Sequence, residues 1–367
     1  MSLTSEQRAR YSRHLLLPEI GAVGQERLRA ARVLIVGAGG LGSPAALYLA
    51  AAGVGTLGII DNDRVDVSNL QRQVLFDTAG VGELKANLAQ ARLVALNPDI
   101  NVVSHPVELR ATNAPEILSG YDIVLDGSDR LGTRYLVNDA CVLFGKSLVS
   151  AAIHRFEGQA LTYVPGKGPC YRCLFSDSAE GVVPNCAEAG VLGVLPGVMG
   201  SIQATEAIKL ITGAGTPLIG RLLTYDALDM RFREFGFARR TDCAVCGDRP
   251  SIRALHDAPA ACAAEEVPGL RIYSAEELRS LLASATTAPL LIDVRETAEF
   301  ASGHIDGAIH LPLAQLDSRL GELRDATSVI FVCLSGRRSL RACQVAAAAG
   351  ITHVGHLDGG MQAWQAL

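Results

Sequence analysis

Up to Phe144, apolar and polar residues alternate between strand-like and helix-like periods. Residues 32–36 (RVLIV) form a continuous apolar run of strand length, 41–52 an Ala-rich helical stretch, and 56–60 a second short apolar run. A helical pattern follows over 81–96, then a strand at 101–107, a helix near 114–118, a strand at 122–125 and a helix at 133–144. Such alternation with short connections predicts a mostly parallel sheet covered on both faces. From Ser147 the pattern changes to strands at 148–152 and 159–164, a long irregular segment over 174–190, and an apolar helix through 202–211. A loop of that length in a compact domain is usually functional.

Between Pro250 and Gly269 the Ala/Pro/acid stretch SIRALHDAPAACAAEEVPG has no convincing periodicity and reads as a linker. Beyond it a smaller strand–helix layout begins, with LLIDVRETAEF, AIHLPL, SVIFVCLSGRRSLRACQVAAAAG and VGHLDGGMQAWQAL. A chain of 367 residues exceeds what one hydrophobic core usually supports. The expected organisation is therefore an α/β protein with a doubly wound domain over 1–249, a linker over 250–269 and a small α/β domain over 270–367.

Composition narrows the function classes. The chain is 49% hydrophobic with 37 glycines, and its net charge of -5 is interspersed, with no basic stripe for a phosphate backbone. Nucleic acid is not expected as a partner. The opening MSLTSEQRARYSRHLLL lacks the apolar core of a secretory signal, which predicts a cytoplasmic protein. Residues 33–60 carry no charge, but their glycines split the run into strand, turn, helix and strand, so no membrane span is expected. Nine cysteines in a cytoplasmic chain point to metal or thiol chemistry rather than disulfides.

Gly37, Gly39 and Gly42 spell G-x-G-x-x-G between a strand and a helix, where backbone can approach a phosphate and the helix N–H groups can satisfy it. Asp61, at the end of the next strand, is placed to accept from ribose hydroxyls. This much fits NAD, FAD, S-adenosylmethionine or ATP, or a tight turn with no ligand. The next segment shifts the balance. DNDRVDVSNLQRQVLF and VGELKANLAQARLVALNP place Arg72 and Lys85 downstream of Asp61 and Asp63, with Asn69 and Gln73 between. A triphosphate attacked at its α-phosphorus needs such cations, because charge grows on the phosphoryl oxygens and the departing pyrophosphate. Asp129, in LDGSDR at a strand end, adds a carboxylate able to hold Mg²⁺ through water.

RYSRHLLLPEIG, GAGGLGS, DND, SNLQRQ, GELKA, DGSDR and AGVLGVLPGVMGSIQATEAIKLI together resemble the adenylating domain shared by the molybdopterin-synthase and thiazole sulfur-carrier adenylyltransferases and the ubiquitin-activating enzymes, over about residues 4–247. The resemblance implies a Rossmann-like domain with a mixed sheet, binding ATP through Gly39, Gly40, Asp61, Asp63, Asn69, Arg72, Gln73, Lys85 and Asp129. It implies that Arg13 reaches the neighbouring subunit's site, hence a homodimer. The implied reaction joins the C-terminal Gly-Gly carboxylate of a small ubiquitin-like sulfur carrier to AMP, releasing pyrophosphate. Lys85 and Arg72 would neutralise the phosphoryl charge, Arg13 the leaving pyrophosphate, and Asp129 would place Mg²⁺.

The cysteines sort by context. Cys170-Tyr-Arg-Cys173 and Cys243-Ala-Val-Cys246 are two C-x-x-C pairs, the second followed by Gly247. Four thiolates suit tetrahedral zinc in a closed, structural site, with a redox dithiol as the competing reading. The same pairs hold zinc in the resembled family. Cys186, in VVPNCAEAGVLG, matches the cysteine that takes the activated acyl group as a thioester or mixed disulfide in the ubiquitin-activating relatives and in the rhodanese-bearing ones; otherwise it is an idle loop cysteine. Cys141 and Cys343 fall on apolar helical faces and read as core, and Cys262 lies in the linker.

Cys333 follows a buried apolar strand and opens a tight loop, 333–338, before a helix expected near Ser339. Loop N–H groups, the helix N-terminus and Arg337 and Arg338 would favour a thiolate there, and equally a persulfide. With IDVRETAEFASGHIDGAIHLP and LDGGMQAW, this region closely resembles the rhodanese sulfurtransferase domain, whose six-residue loop suits sulfur. His304 and Asp293 read as structural parts of it. The fusion implies an enzyme that is adenylyltransferase and sulfurtransferase: the Cys333 persulfide attacks the acyl-adenylate, and a second thiol, with Cys186 the candidate, cleaves the S–S bond to leave a thiocarboxylate. Transfer needs the second domain to swing toward the first, which a flexible linker permits. The implied sulfur donor is a cysteine desulfurase or thiosulfate, and the pathway is molybdopterin, thiamine, cysteine or tRNA thiolation. The alternatives are an adenylating enzyme acting on a tRNA-base carboxylate and an NAD-dependent oxidoreductase.

Overall fold

The computed structural model describes residues 3–176, 190–257, 269–284, 289–324 and 326–367. The chain divides into two compact units, Met1–Pro259 and Ala260–Leu367.

In the first unit, helices α1 (Ser5–Arg10), α2 (Ser12–Leu15) and α3 (Gly21–Ala30) lead into β1 (Arg32–Val36). There follow α4 (Gly42–Ala52), β2 (Thr56–Ile60), α5 (Lys85–Leu96), β3 (Asn101–His105), α6 (Ala114–Ser119), β4 (Ile123–Asp126), α7 (Leu131–Leu143) and β5 (Ser147–His154). The strands lie side by side and parallel in the order β3-β2-β1-β4-β5. Three antiparallel strands extend the sheet: β6 (Glu157–Tyr163), β7 (Arg221–Asp226) and β8 (Arg231–Gly236). The sheet is mixed and doubly wound. Alternate residues of β1 enter opposite cores, Val33 and Ile35 on one face, Leu34 and Val36 on the other, which is why RVLIV reads as an unbroken apolar run.

The strand and helix expectations hold to within a few residues, with two informative exceptions. α5 begins at Lys85 rather than Val81, because Val65 and Gly82–Glu83 exchange backbone hydrogen bonds and hold that segment in a turn, with Gly82 at φ +90°. The apolar helix expected over 202–211 begins earlier and runs Leu195–Thr212 (α9, after the short α8, Tyr171–Leu174). Pro196 and Gly200 hide its first turns. Pro196 is tolerated at a helix start, and a Cβ on Gly200 would lie 2.4 Å from the Leu41 carbonyl oxygen of α4's leading turn.

The second unit is an all-parallel sheet in the order β11-β10-β12-β13-β9, built from β9 (Arg271–Tyr273), β10 (Leu290–Asp293), β11 (Ile309–His310), β12 (Val329–Val332) and β13 (Val354–Leu357). Its helices are α10 (Ala275–Ser284), α11 (Thr297–Ala301), α12 (Leu313–Arg319), α13 (Arg337–Ala348) and α14 (Gly360–Gln365). β12 is wholly buried at the centre, Val329 and Phe331 in one core, Ile330 and Val332 in the other.

Of the stretch read as a linker, residues 250–257 pack on the first unit. Ile252 donates its N–H to the Ala244 carbonyl and joins Leu255 against the core, and the Asp257 carboxylate accepts the Ala111 N–H. Among the described residues no helix is long and apolar enough to cross a membrane.

Candidate functional site

The glycine turn after β1 sits where the strand order reverses between β1 and β4, at the C-terminal edge of the parallel sheet, the usual ligand crevice of such folds. Gly37 has φ +90°, and a Cβ on Gly42 would lie 1.8 Å from the Gly37 carbonyl oxygen, so both positions admit only glycine. Asp61, ending one residue past β2, accepts the N–H groups of Ala38 and Asp63 at 2.8 Å each and so ties the turn to the DND segment. Burial raises its carboxyl above the usual range, opposed by Lys85 and by those two N–H groups.

A short antiparallel bridge between Arg64 and Leu84 brings the rest together. Lys85 N–H donates to the Asp63 carbonyl, and its ammonium lies 3.1 Å from the Asp63 carboxylate. The Lys85 side chain is 6% exposed while that of Asp63 is 66% exposed. The cation is therefore held at the wall of the crevice by a solvent-facing partner that a more strongly charged anion can replace. Arg72 donates to the Ser68 carbonyl, and its Cγ would lie 3.6 Å from a Cβ on Gly40. Asn69 accepts the Asp66 N–H within the intervening turn. Gln73 is buried beside Gly39, and its Oε1 has no partner among the described residues. An orphaned acceptor beside a glycine turn, two cations and an acidic strand end fit a nucleotide phosphate and its sugar. Asp129 is exposed beyond β4 and forms no ion pair among the described residues, as an outer ligand for Mg²⁺ requires.

Sequence reasoning missed the network under Asp129. Asp126 is fully buried, accepting the Ser128 N–H and hydroxyl at 3.0 and 2.6 Å and the Ser150 hydroxyl at 2.9 Å, with the Arg134 guanidinium 3.6 Å away. Arg134 also donates to the Ser128 carbonyl at 2.7 Å. This fixes the DGSDR turn. Only the unusual run of polar residues directly after a buried strand signalled it.

Arg13 lies elsewhere. Tyr11, two residues before it, packs on Gly53 at the far end of α4 and accepts a hydrogen bond from Asn97. Eleven helical residues separate that end from the glycine turn, about 16 Å. Arg13 is exposed there, so the structure does not bring it to its own chain's crevice.

The four C-x-x-C thiols converge. Their sulfurs all lie within 4.8 Å of one another, with pairs at 4.0, 3.7 and 3.4 Å. A tetrahedral Zn²⁺ with Zn–S near ~2.3 Å puts its sulfurs about 3.8 Å apart, so the cage fits that ion. Burial pushes the Cys170 thiol up and Cys246 up to about 11; Cys243 is shifted down despite burial, because the N–H groups of Cys246 and Val245 donate to it. Gly247 closes the knuckle, where a Cβ would lie 2.4 Å from the Cys243 carbonyl oxygen. The first pair is anchored to α7. Arg172 grips Asp139 with two hydrogen bonds of 2.7 and 2.8 Å and stacks 4.4 Å over Tyr135, and Asn138 accepts the Tyr171 N–H. Cys186 and Cys262 lie outside the described residues. Cys141 is fully buried, its thiol pushed up by burial.

In the second unit Cys333 directly follows β12, and α13 begins at Arg337, two residues earlier than expected, because Gly336 takes φ +88° as its cap. The loop is clasped from the other side by LDGGMQAW. Met361 and Gln362 donate their N–H groups to the carbonyls of Cys333 and Leu334, and a Cβ on Gly360 would lie 2.3 Å from the former. Arg338 is bound to Glu299 by two bonds of 2.7 Å, and this holds the Glu299 carboxyl below its usual range. Asp293 and Arg295 form a buried ion pair, and His304 stacks on Phe300. Cys343 is buried, donating to the Gly355 carbonyl, its thiol pushed up to about 12.

Residues 11–245 match the ThiF family. The chain belongs to the ThiF family. Residues 274–367 match the rhodanese-like domain. The chain is 46% identical over 377 residues to a probable adenylyltransferase/sulfurtransferase MoeZ of Mycobacterium tuberculosis, covering 99% of this chain and 94% of that one. It is 42% identical over 400 residues to the adenylyltransferase and sulfurtransferase MOCS3 of Mus musculus, covering 100% and 86%. A sulfur carrier protein adenylyltransferase of Thermus thermophilus is 54% identical over 268 residues, 71% of this chain and 99% of that one. Among solved structures, E. coli MccB with ATP matches with a TM-score of 0.58 at 26% identity, over 66% of this chain and 75% of that one. This ThiF-family enzyme is accordingly an adenylyltransferase and sulfurtransferase, and its α/β architecture is that of an adenylating domain with a rhodanese domain.

Proposed function

We propose that the enzyme adenylates the C-terminal Gly-Gly carboxylate of a ubiquitin-like sulfur carrier and replaces one of its oxygens with sulfur. The observation that carries this reading is the pairing, in one chain, of the Gly37–Gly42 crevice walled by Lys85, Arg72 and Gln73 with a rhodanese loop presenting Cys333.

A carboxylate oxygen attacks the α-phosphorus of ATP, the bond to the pyrophosphate breaks, and an acyl-adenylate forms. Lys85 leaves Asp63 for the phosphoryl oxygens, and Arg72 shares that charge. Asp61 and Asp63 meet the sugar, with Gln73 and Asn69 beside the turn formed by Gly39 and Gly40. Mg²⁺, when bound, supplies further charge neutralisation, and Asp129 is the residue that would hold it. Arg13, far from its own crevice, serves the site of a second subunit in a homodimer.

The persulfide sulfur of Cys333 then attacks the acyl carbon and AMP leaves, giving an acyl disulfide. A second thiolate, for which Cys186 is the candidate, attacks the Cys333 sulfur, releasing the thiocarboxylate and leaving a disulfide that an external thiol reduces. Zinc held by Cys170, Cys173, Cys243 and Cys246 is structural, since four thiolates leave no open position. The pathway served is molybdopterin, thiamine, cysteine or tRNA thiolation, with a cysteine desulfurase or thiosulfate as donor, in the cytoplasm.

The test incubates the enzyme with ATP, thiosulfate or a cysteine desulfurase, and candidate carriers ending in Gly-Gly, and weighs the carriers. The expected product has one sulfur in place of one oxygen and is absent with Cys333→Ala. No carrier-dependent exchange of pyrophosphate into ATP with any candidate would overturn the reading.

A further inference from the structure

Cys333 Sγ lies 3.5 Å from Ser339 Oγ, which in turn lies 3.4 Å from His356 Nδ1, and all three side chains are buried. The hydroxyl of Ser339 also bonds the Gly336 carbonyl at 2.9 Å. A hydroxyl has one proton and two lone pairs. With that proton on the Gly336 carbonyl, the other two contacts are accepted by Oγ, from the Cys333 S–H and from His356 Nδ1–H. The arrangement is saturated while Cys333 is a thiol.

It changes once the sulfur is anionic and can only accept. We propose that His356 is a positioning residue for Cys333, acting through Ser339: the hydroxyl turns from the Gly336 carbonyl to the thiolate, while His356 Nδ1–H keeps Oγ in place and polarises it. The carbonyl is not orphaned by this turn, because it also accepts the Leu340 N–H at 3.1 Å. Only hydrogen bonds are exchanged. Burial lowers the pKa of the His356 ring, which keeps it neutral with a single N–H to place. The charged or titratable groups on the elements packed around it are Cys333 just past β12, Arg337, Arg338, Arg341 and Cys343 on α13, Arg271 and Tyr273 on β9, and Asp358 on its own segment. Neither HLDGG nor SLRAC suggests this contact alone, since Ser339 and His356 are 17 positions apart and meet only where α13 packs on β13.

The inference rests on Cys333 being the sulfur-carrying cysteine, and the test separates the two. In the full-length chain, the pH dependence of Cys333 alkylation by iodoacetamide is followed by peptide mass spectrometry, alongside sulfur transfer from thiosulfate to cyanide. With His356→Leu, alkylation near neutral pH is expected to slow about two- to tenfold, the worth of one hydrogen bond, and to converge with the native rate at high pH. His356→Asn, whose amide nitrogen stands where Nδ1 stood, keeps the native profile. Ser339→Ala slows alkylation likewise, and adding His356→Leu to it changes nothing more. If His356→Leu fails to fold by circular dichroism, His356→Gln, which cannot place a donor at Nδ1, replaces it with the same expectations. A native profile in the Leu or Gln variant, a slow Asn variant, or additive effects in the double variant overturns the relay. Retention of sulfur transfer by Cys333→Ala overturns the reading of Cys333 instead.

Discussion

Lys85 and Asp63 form an ion pair at 3.1 Å in which the lysine is buried and the carboxylate faces solvent. On the proposed reading, the role of Asp63 is to keep the buried Lys85 ammonium aimed along the crevice wall until phosphate arrives. Lys85→Ala is expected to lower carrier-dependent exchange of pyrophosphate into ATP at least about a hundredfold, the size of losing one charge at a phosphoryl transition state. Asp63→Ala should cost less. Equal losses in both variants would show that Asp63 itself touches the nucleotide's reacting groups.

Arg13 follows Tyr11, which packs on Gly53 at the end of α4 about 16 Å from the glycine turn of the same chain. Arg13→Ala and Lys85→Ala chains, each inactive alone, should complement when mixed and re-equilibrated. Half of the dimers then carry one intact site, so about a quarter of native activity returns. Recovery of none would place Arg13 outside the partner's site.

Gly360 combines φ +57° with a backbone approach that leaves no room for a Cβ against the Cys333 carbonyl. Gly360→Ala should destabilise the second unit by about 2–4 kcal/mol and abolish sulfur transfer. Gly321→Ala is the control, with nothing within 4 Å of its added methyl. Thermal melts of both variants check the contrast.

Glu299 has its carboxyl lowered by the Arg338 guanidinium, by hydrogen bonding first and charge second. A depressed carboxyl contributes stability that is fully present above its unfolded value of 4.5 and is lost as pH falls through the lower folded value. Native protein should therefore exceed Glu299→Gln in stability by about 1–2 kcal/mol at pH 7, and the gap should narrow progressively as pH falls below 4.5. A gap unchanged at low pH would remove the pair from the account.

The thiols of Cys170, Cys173, Cys243 and Cys246 tie α7's neighbour α8 to the 243–247 knuckle. Elemental analysis should find about one zinc per chain, and chelation or Cys243→Ser should lower the melting temperature of the first unit. A cage that melts unchanged without metal would favour the redox dithiol.

What the chain declares locally proved readable at strand resolution, because a buried parallel strand must be apolar on both faces. RVLIV and TLGII are strands for that reason, and VIFV in the second unit likewise. The glycine turn and the convergence of the two C-x-x-C pairs were legible too, since each depends on residue type at short spacing. The N-terminal turns of α9 were not, because Pro196 packs on Gly40 and Gly200 on Leu41 and Pro44, close contacts that no local period encodes.

The sequence by itself thus determined the two α/β modules, the nucleotide-type turn and the identity of the sulfur atoms. Tertiary structure alone decided which of these groups share a site. It buried Asp126 with Arg134 beneath the DGSDR turn, removed Arg13 to the far end of α4, fastened Arg338 to Glu299, and set His356 behind Ser339 and Cys333. Hydrogen bonds and ion pairs act over about 3 Å, while the residues forming them stand from 6 to 86 positions apart. Only the folded chain closes that separation.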